Sequence, residues 1–174
     1  MLLLATRLGL RTGDIRTLGF SNIDWDNNVI KVIQEKTKKE VELPLLTDVG
    51  EAIIDYLKNG RPRSDHKTIF LSASHPYQPI TTATFSTVIA DIIYKTGIEL
   101  KGRRHGVHCL RHSLATTMLQ NGASLPVISE TLGHSNTQAT MVYLSVNVSN
   151  LLRCSLDVPP VAKGFYTQKG GLFY

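Results

Sequence analysis

Several residue types that mark particular classes of protein are scarce in this chain of 174 residues. Its two cysteines, Cys109 and Cys154, cannot form a disulfide framework, and neither belongs to a metal-type cysteine pair. The longest apolar run, Met1 to Ala5, is too short to cross a membrane. No basic segment precedes it and no cleavage site follows it, as a secretory signal would require. These features favour a cytoplasmic protein with reduced thiols and no contact with membranes.

Aromatic residues are also few, at 7%, and they are scattered, so a platform for stacking single-stranded bases is not indicated. Basic residues are in excess: 19 Lys and Arg against 14 Asp and Glu give a net charge of +5. Such a surface fits contact with the phosphates of a DNA duplex. The basic residues form three clusters, which are Arg7, Arg11 and Arg16; Lys36, Lys38 and Lys39; and Lys101, Arg103, Arg104 and Arg111.

The hydrophobic pattern predicts a mostly α protein with one small antiparallel sheet (an α+β fold). β-Branched segments at 29–33 and 40–43 flank a basic tip, which indicates a β-hairpin that ends at Pro44. No internal repeat or flexible linker divides the chain, and regular patterning stops after residue 145. The predicted helices are 2–10, a turn at 15–18 capped by Asp14, 49–58 capped by Thr47 or Asp48, 82–94, 108–120, 124–132 and 137–144.

The helix predicted to begin at His108 places His108, Arg111 and His112 on one face, beside a stripe of core residues. These three residues are either solvated polar groups or a functional cluster. The i, i+4 spacing of the histidines is that of a zinc helix, but no glutamate accompanies them and Arg111 would put a fixed cation among the ligands. An arginine beside histidines suits a phosphate better, because the guanidinium binds two oxygens and an imidazole exchanges protons near neutral pH. The core stripe comprises Val107, Leu110, Leu114 and Met118.

A second group lies downstream, where His134 follows Leu132 and Gly133 at a predicted helix end. Tyr143 lies nine residues after His134, on the next predicted helix. Taken alone, Tyr143 is more typical of a half-buried packing residue at a helix contact than of a nucleophile.

Four segments together resemble the sequence boxes of the tyrosine recombinase (phage integrase) family. Residues 9–15, Gly-Leu-Arg-Thr-Gly-Asp-Ile, are similar to its first-arginine box, and Lys36-Thr37 in the hairpin is similar to its lysine segment. Residues 108–119 with Gly122 resemble the second-arginine box. Residues 132–135, Leu-Gly-His-Ser, followed by Thr140 and Tyr143, resemble the histidine and nucleophile box. Each box is short, but the four occur in family order and span most of the chain.

The resemblance implies a site-specific recombinase or integrase fold and activity, without a metal ion or other cofactor. Tyr143 would attack a DNA phosphodiester and form a 3′-phosphotyrosyl link, while Arg11, Arg111 and His134 stabilise the phosphate charge. Lys36 would protonate the leaving 5′-oxygen, in preference to its neighbours Lys38 and Lys39, and His108 would assist proton transfer. Supporting roles are implied for Asp14, which would orient Arg11 or cap a helix, and for His112. Further DNA contacts are expected from Arg7, Lys38, Lys39, Arg103 and Arg104.

The expected partner is double-stranded DNA at a specific recombination site of a mobile element, bound by a homotetramer that is a monomer or weak oligomer without DNA. We expect a catalytic domain at residues 1–145 and a C-terminal tail at 146–174 that a neighbouring protomer could receive. Family members carry an N-terminal core-binding domain, and no segment here resembles one. The alternative is a DNA-binding module of the same fold that has lost catalysis. An acid-phosphatase-like enzyme using His108 and Arg111, and a type IB topoisomerase, are less favoured readings.

Overall fold

Helices and a small sheet alternate along residues 1–98, 106–134 and 140, the part of the chain that this computed structural model describes. The class predicted from the sequence, mostly α with a small antiparallel sheet, is confirmed. The helices are α1 (Leu2–Arg7), α2 (Thr12–Arg16), α3 (Thr47–Asp55), α4 (Thr82–Lys95), α5 (Val107–Gln120) and α6 (Leu125–Leu132), and the strands are β1 (Ile23–Asp24), β2 (Val29–Ile33) and β3 (Glu40–Pro44).

The predicted hairpin supplies the central strand, β2, and one edge strand, β3, of a three-stranded sheet with the order β1-β2-β3. Inward-facing residues alternate along its strands: Ile30 pairs with Leu43 and Val32 pairs with Val41, and all four are buried. The tip between β2 and β3 is closed by two backbone hydrogen bonds, from the Gln34 amide to the Lys39 carbonyl and from the Lys38 amide to the Gln34 carbonyl. The short strand β1 was missed, because two residues carry no periodic signal.

Two apolar clusters hold the elements together. The larger one joins α1, α2, the sheet, α3 and α4, and its fully buried members include Leu4, Ile15, Ile30 and Phe85. The smaller one lies between α5 and α6 and is built on three buried side chains, Ala115, Ile128 and Leu132. Helix α5 contributes to both, since Val107 belongs to the larger cluster. Among the described helices, none combines the length and the apolar composition needed to cross a bilayer.

Several predicted boundaries differ from the observed ones for local reasons. Helix α1 ends at Arg7 instead of continuing to residue 10, because Gly9 adopts a left-handed conformation with φ of 62°. Helix α2 begins after Arg11, so Asp14 lies inside the helix and does not cap it; that part of the prediction is wrong. Helix α3 begins at Thr47 and ends in one π-type turn, Tyr56–Gly60. The expected caps from Thr47 or Asp48 are replaced by Leu46, which makes no side-chain capping bond.

The two stripes predicted on α5 are buried differently from the expectation. Arg111, predicted on the face with the two histidines, is buried, as is Ala115 one turn further on the same face, whereas Leu114 of the core stripe is only partly covered. The reason is that Ala115 packs against α6 and Arg111 binds backbone carbonyls, so this face of α5 is an internal one. The predicted helix 137–144 lies outside the described residues except for Thr140, which is helical and buried.

Candidate active site

Arg11 is presented by a tight backbone reversal between α1 and α2. The Leu10 amide donates to the Leu4 carbonyl, and Gly9 supplies the left-handed turn that this requires. A side chain at position 9 would also meet Leu132, since a Cβ there would lie 2.6 Å from the Leu132 Cδ2 atom. Arg11 is therefore fixed at the N-cap of α2 by a turn that only glycine fits well.

Arg111 is 3% exposed and spans the space between two distant segments. Its Nη1 donates to the Gly9 carbonyl at 2.6 Å, and its Nη2 donates to the Leu132 carbonyl at 2.5 Å. A buried guanidinium needs such acceptors, because leaving it without hydrogen bonds would cost several kcal/mol, on the order of the penalty for any buried charge. Arg111 thus joins α5, the turn before α2 and the end of α6 in one site.

Gln34, at the end of β2, connects the two arginines and was not singled out by the sequence. Its Oε1 accepts hydrogen bonds from Arg11 Nη1 at 2.5 Å and from Thr37 Oγ1 at 2.8 Å. Its Nε2 donates to the Leu132 carbonyl at 3.0 Å, so this carbonyl is shared with Arg111. No motif marks a glutamine at the end of a strand, which is why pattern reading does not find it.

One cavity of about 260 Å³ collects most of the expected site. Arg11, Lys36, His108 and Arg111 line it. Four less polar positions complete the lining: Leu10, Thr12, Gly13 and Val107. Three side chains that carry a positive charge at neutral pH therefore surround a space large enough for a phosphodiester group, an arrangement suited to binding an anion.

His108 and His112 form an edge-to-face pair one helical turn apart on α5, with their ring planes at 83°. Their Nε2 atoms are 2.9 Å apart, so one ring donates a hydrogen bond to the other. Protonating both rings would remove the acceptor and place two positive charges in contact, which is unfavourable. Desolvation lowers the pKa of His108 first, and the charges of His112, Arg111, Arg11 and Lys36 lower it further. The pKa of His112 is also lowered, mainly by desolvation and secondly by the positive charge of Arg111. A neutral His108 at the edge of the cavity is able to accept a proton.

His134 is oriented from both sides at the end of α6. Its backbone amide donates to the Ser129 carbonyl, and its Nδ1 lies 2.8 Å from the Thr140 hydroxyl. Desolvation, followed by the positive charges of Arg111 and Arg11, lowers its pKa to about 4. His134 is therefore neutral near pH 7. Thr140 belongs to the segment that resembles the histidine and nucleophile box, and its contact with His134 gives it an orienting role that the motif alone does not assign.

The three lysines of the hairpin tip are not equivalent. Lys36 lines the cavity with the arginines, whereas Lys39 donates from Nζ to the His134 carbonyl at 3.3 Å and lines a neighbouring cavity with Gly133 and His134. Lys38 is exposed and adopts a left-handed conformation with φ of 55°. This placement agrees with the preference for Lys36 over its neighbours, and the chemical role of Lys36 stays a prediction.

Of the remaining predicted residues, some make described contacts outside the cavity, and the others lie outside the described residues. Asp14 accepts the Glu35 amide at 2.9 Å, so the contact it makes anchors the hairpin base rather than capping α2. Arg7 pairs with Asp48 on α3 at 2.9 Å and does not line the cavity, and its proposed contact with DNA stays a prediction. Arg103, Arg104, Tyr143 and Cys154 lie outside the described residues. Within the described ranges, no group of three or more His, Cys, Asp or Glu residues could hold a metal ion.

Comparison with known proteins identifies the group of enzymes to which this arrangement belongs. The model of the phage integrase family matches residues 1–150. The chain belongs to the phage integrase family. Among its relatives, y4gC of Sinorhizobium fredii, named as an integrase/recombinase, is 36% identical over 90% of this chain and 80% of that protein. The tyrosine recombinase XerC of Pediococcus pentosaceus is 34% identical over 82% of this chain and 48% of that protein.

Solved structures of family members share the fold. The XerA recombinase matches with a TM-score of 0.71 and 26% identity over 91% of this chain and 57% of that one. The XerH recombinase in a post-cleavage complex with its DNA substrate matches with a TM-score of 0.72 and 20% identity, over 88% of this chain and 43% of that one. This integrase-family chain thus spans about half the length of XerC and of these solved recombinases.

Proposed function

We propose that the chain is the catalytic part of a site-specific recombinase that breaks and rejoins duplex DNA through a covalent tyrosine intermediate. The observation that carries this proposal is the cavity lined by Arg11, Lys36 and Arg111, with His108 at its edge, in a member of the phage integrase family. Cations from three separate elements face one small space, and a phosphodiester is the group in DNA that such a space would bind.

In the proposed reaction the phenol oxygen of Tyr143 attacks the phosphorus and the bond to the 5′-oxygen breaks. The phenol proton passes to His108, and the departing 5′-oxygen takes a proton from the Lys36 ammonium. The products are a 3′-phosphotyrosyl link and a free 5′-hydroxyl. Attack by a 5′-hydroxyl reverses every step, so strands are rejoined without ATP.

The two arginines supply most of the electrostatic stabilisation. Negative charge on the non-bridging oxygens is greatest as the phosphoryl group transfers, and fixed guanidinium groups stabilise it without reorganisation. His134 is neutral near pH 7 and acts as a third donor to the phosphate. No metal ion takes part in this scheme, since two guanidiniums and one ammonium supply the positive field.

The wider assignments rest on the family. We propose that residues 1–145 form the catalytic unit, that 146–174 serve as a tail for contact with a neighbouring protomer, and that four copies assemble on a specific duplex site. The activity would serve a mobile element and take place in the cytoplasm, where that DNA lies.

The proposal is tested by covalent capture. The 174-residue chain is incubated with a library of nicked duplexes of random central sequence, and protein–DNA adducts that resist denaturant are isolated and sequenced. We expect a defined sequence to be enriched, which we call the captured duplex. Adduct should be absent in Tyr143→Phe, reduced at least about 100-fold in Arg11→Ala and Arg111→Ala, and unchanged by EDTA.

The same experiment separates catalysis from DNA binding alone. Retained binding to duplex DNA with no adduct from any library member would favour the module that has lost catalysis. Loss of the adduct with EDTA would contradict the metal-free scheme. Adduct formation by Tyr143→Phe would exclude Tyr143 as the nucleophile.

A further inference from the structure

Gln34 is an unusual residue to find in the core of a small domain. Its side chain is 1% exposed, and burying an amide without hydrogen bonds would cost about 2 kcal/mol or more. An apolar side chain would fill the same position without this desolvation cost. The amide must therefore either satisfy a local structural need or serve the site beside it.

The contacts of Gln34 lead to each charged part of the cavity. One end of the amide accepts from Arg11 and from Thr37, the residue that follows Lys36 in the hairpin tip. The other end donates to the Leu132 carbonyl, which also receives Arg111. A single planar group thus fixes the orientation of Arg11, sets the position of the Lys36 turn, and shares an acceptor with Arg111.

The surrounding backbone is shaped to admit this amide. Gly133 follows Leu132 in a left-handed conformation with φ of 60°, and a Cβ at this position would overlap the Gln34 side-chain amide. The amide therefore packs directly on the glycine backbone at the end of α6. Any shift of Gln34 would be transmitted to the Leu132 carbonyl and so to Arg111.

The neutrality of the amide has a chemical consequence. A glutamate at position 34 would also accept from Arg11, but its charge would offset that of the guanidinium inside the cavity. It would also lose the donor to the Leu132 carbonyl, which would then face a carboxylate oxygen. Glutamine orients Arg11 while leaving its full positive charge for a phosphate.

We propose that Gln34 is a positioning residue that sets Arg11, Arg111 and the Lys36 turn in register around one phosphate group. This role deepens the proposed function and rests on it. Gln34 itself does not touch the phosphate and acts only through the groups it orients. Its loss should therefore lower the rate of the chemical step more than it weakens the binding of DNA.

The first test uses inorganic phosphate as the probe and does not depend on DNA cleavage. Binding to the 174-residue chain is followed by NMR, with Arg11→Ala as the reference for a lost site. We expect Gln34→Glu to weaken phosphate binding about tenfold, because it adds a negative charge beside Arg11. Gln34→Met should weaken it about threefold, because it removes only the hydrogen bonds that orient Arg11. Phosphate affinities within twofold of the unmodified chain in both variants would overturn the proposal, as would a chain that binds no phosphate.

The second test measures adduct formation on the captured duplex in a single turnover. Gln34→Met should lower the rate at saturating protein about tenfold, with little change in the protein concentration that gives half the maximal rate. The matched control is Val32→Ala, a buried position two residues before Gln34 in β2, whose side chain does not line the cavity. It should lower the free energy of unfolding comparably and leave the rate within twofold.

The outcomes distinguish the two proposals. If Val32→Ala slows the adduct as much as Gln34→Met does, Gln34 is only structural and the positioning role is wrong. A second readout is coupling: Gln34→Met should cause little additional loss when Arg11 is already replaced by lysine, and full additivity would contradict the role. If the unmodified chain forms no adduct with any duplex, the proposed function fails, and the phosphate test alone then decides the role of Gln34.

Discussion

Position 133 requires both a left-handed backbone and the absence of a side chain, and only glycine provides both without strain. Gly133 ends α6 in the left-handed region, and its missing Cβ leaves room for the Gln34 amide. Gly97 has a similar φ of 69° but nothing within 4 Å of the position its Cβ would take. Substituting Gly97 therefore measures the cost of backbone strain alone, whereas substituting Gly133 adds a steric conflict with Gln34.

We expect Gly97→Ala to lower the free energy of unfolding by about 1 kcal/mol, from left-handed strain alone. Gly133→Ala should lower it by about 2–4 kcal/mol, since the added methyl group must displace Gln34 as well. Urea denaturation at pH 7 measures both values. Equal losses in the two variants would show that Gln34 moves aside at no cost and that the amide is not closely held.

His134 predicts a pH dependence of stability. Its pKa is about 4 in the folded chain, against the ordinary histidine value of 6.5 in the unfolded chain, so the unfolded chain binds more protons between these limits. Its contribution to stability is therefore complete above pH 6.5 and decreases as the pH falls towards 4. His108 and His112, whose pKa values are also lowered, act in the same direction.

Urea denaturation at pH 7.5 and pH 5.5 should show a smaller loss of stability on acidification for His134→Gln than for the unmodified chain. His66→Gln, a substitution outside the site, should lose as much free energy of unfolding between pH 7.5 and pH 5.5 as the unmodified chain does. A His134→Gln variant with an unchanged pH dependence would mean that His134 is not held neutral.

Much of the site could be predicted at the residue level because charged groups at motif spacing leave a pattern. Arg11, Lys36, His108 and Arg111, which the resemblance to the family's sequence boxes implied, line one cavity in the structure, although their roles stay predictions. The contacts that orient them could not be predicted. Arg111 binds the carbonyls of Gly9 and Leu132. Every residue has a backbone carbonyl, so the sequence does not indicate which ones will accept these hydrogen bonds.

The β2–β3 hairpin is the element on which Lys36 depends. Asp14 accepts the Glu35 amide at the base of the tip, so α2 holds the hairpin at the residue before Lys36. The sequence predicted the hairpin from its two β-branched segments. It did not predict this anchor, because the contact joins residues 21 positions apart through one carboxylate.

We expect Asp14→Ala to lower the free energy of unfolding by about 1–3 kcal/mol, since it leaves the partly buried Glu35 amide without its acceptor. Hydrogen exchange of the Glu35 amide should become faster. Asp24→Ala makes the same chemical change in an exposed turn, where Asp24 accepts the Asn27 amide, and should leave exchange at Glu35 unaltered. Unchanged exchange at Glu35 in Asp14→Ala would contradict the anchoring role.

At the scale of the whole molecule, the net charge of +5 predicts salt-dependent binding to DNA of any sequence. Lys38 and Lys39 at the hairpin tip were predicted to contact phosphates, and both are exposed. Lys58 lies in the turn after α3, and Lys95 is the last residue of α4. Neither helix contributes a residue to the cavity lining.

We expect the double variant Lys38→Ala and Lys39→Ala to reduce the steepness of the plot of log binding constant against log salt concentration by about 2. The double variant Lys58→Ala and Lys95→Ala loses the same charge and should change the slope little. Fluorescence anisotropy with a random duplex measures both slopes. Equal changes would indicate a diffuse charge effect without a hairpin contact.

The hydrogen bonds of Arg111 also bear on when the site comes into existence as the chain is made. One acceptor, Gly9, lies 102 residues before Arg111, and the other, Leu132, lies 21 residues after it. During synthesis on the ribosome, the guanidinium emerges long before its second acceptor does. A nascent chain that ends before Leu132 therefore has Arg111 but lacks one of the two carbonyls that orient it. The arginine-lined cavity would be complete only once the last of these segments has been translated and folded.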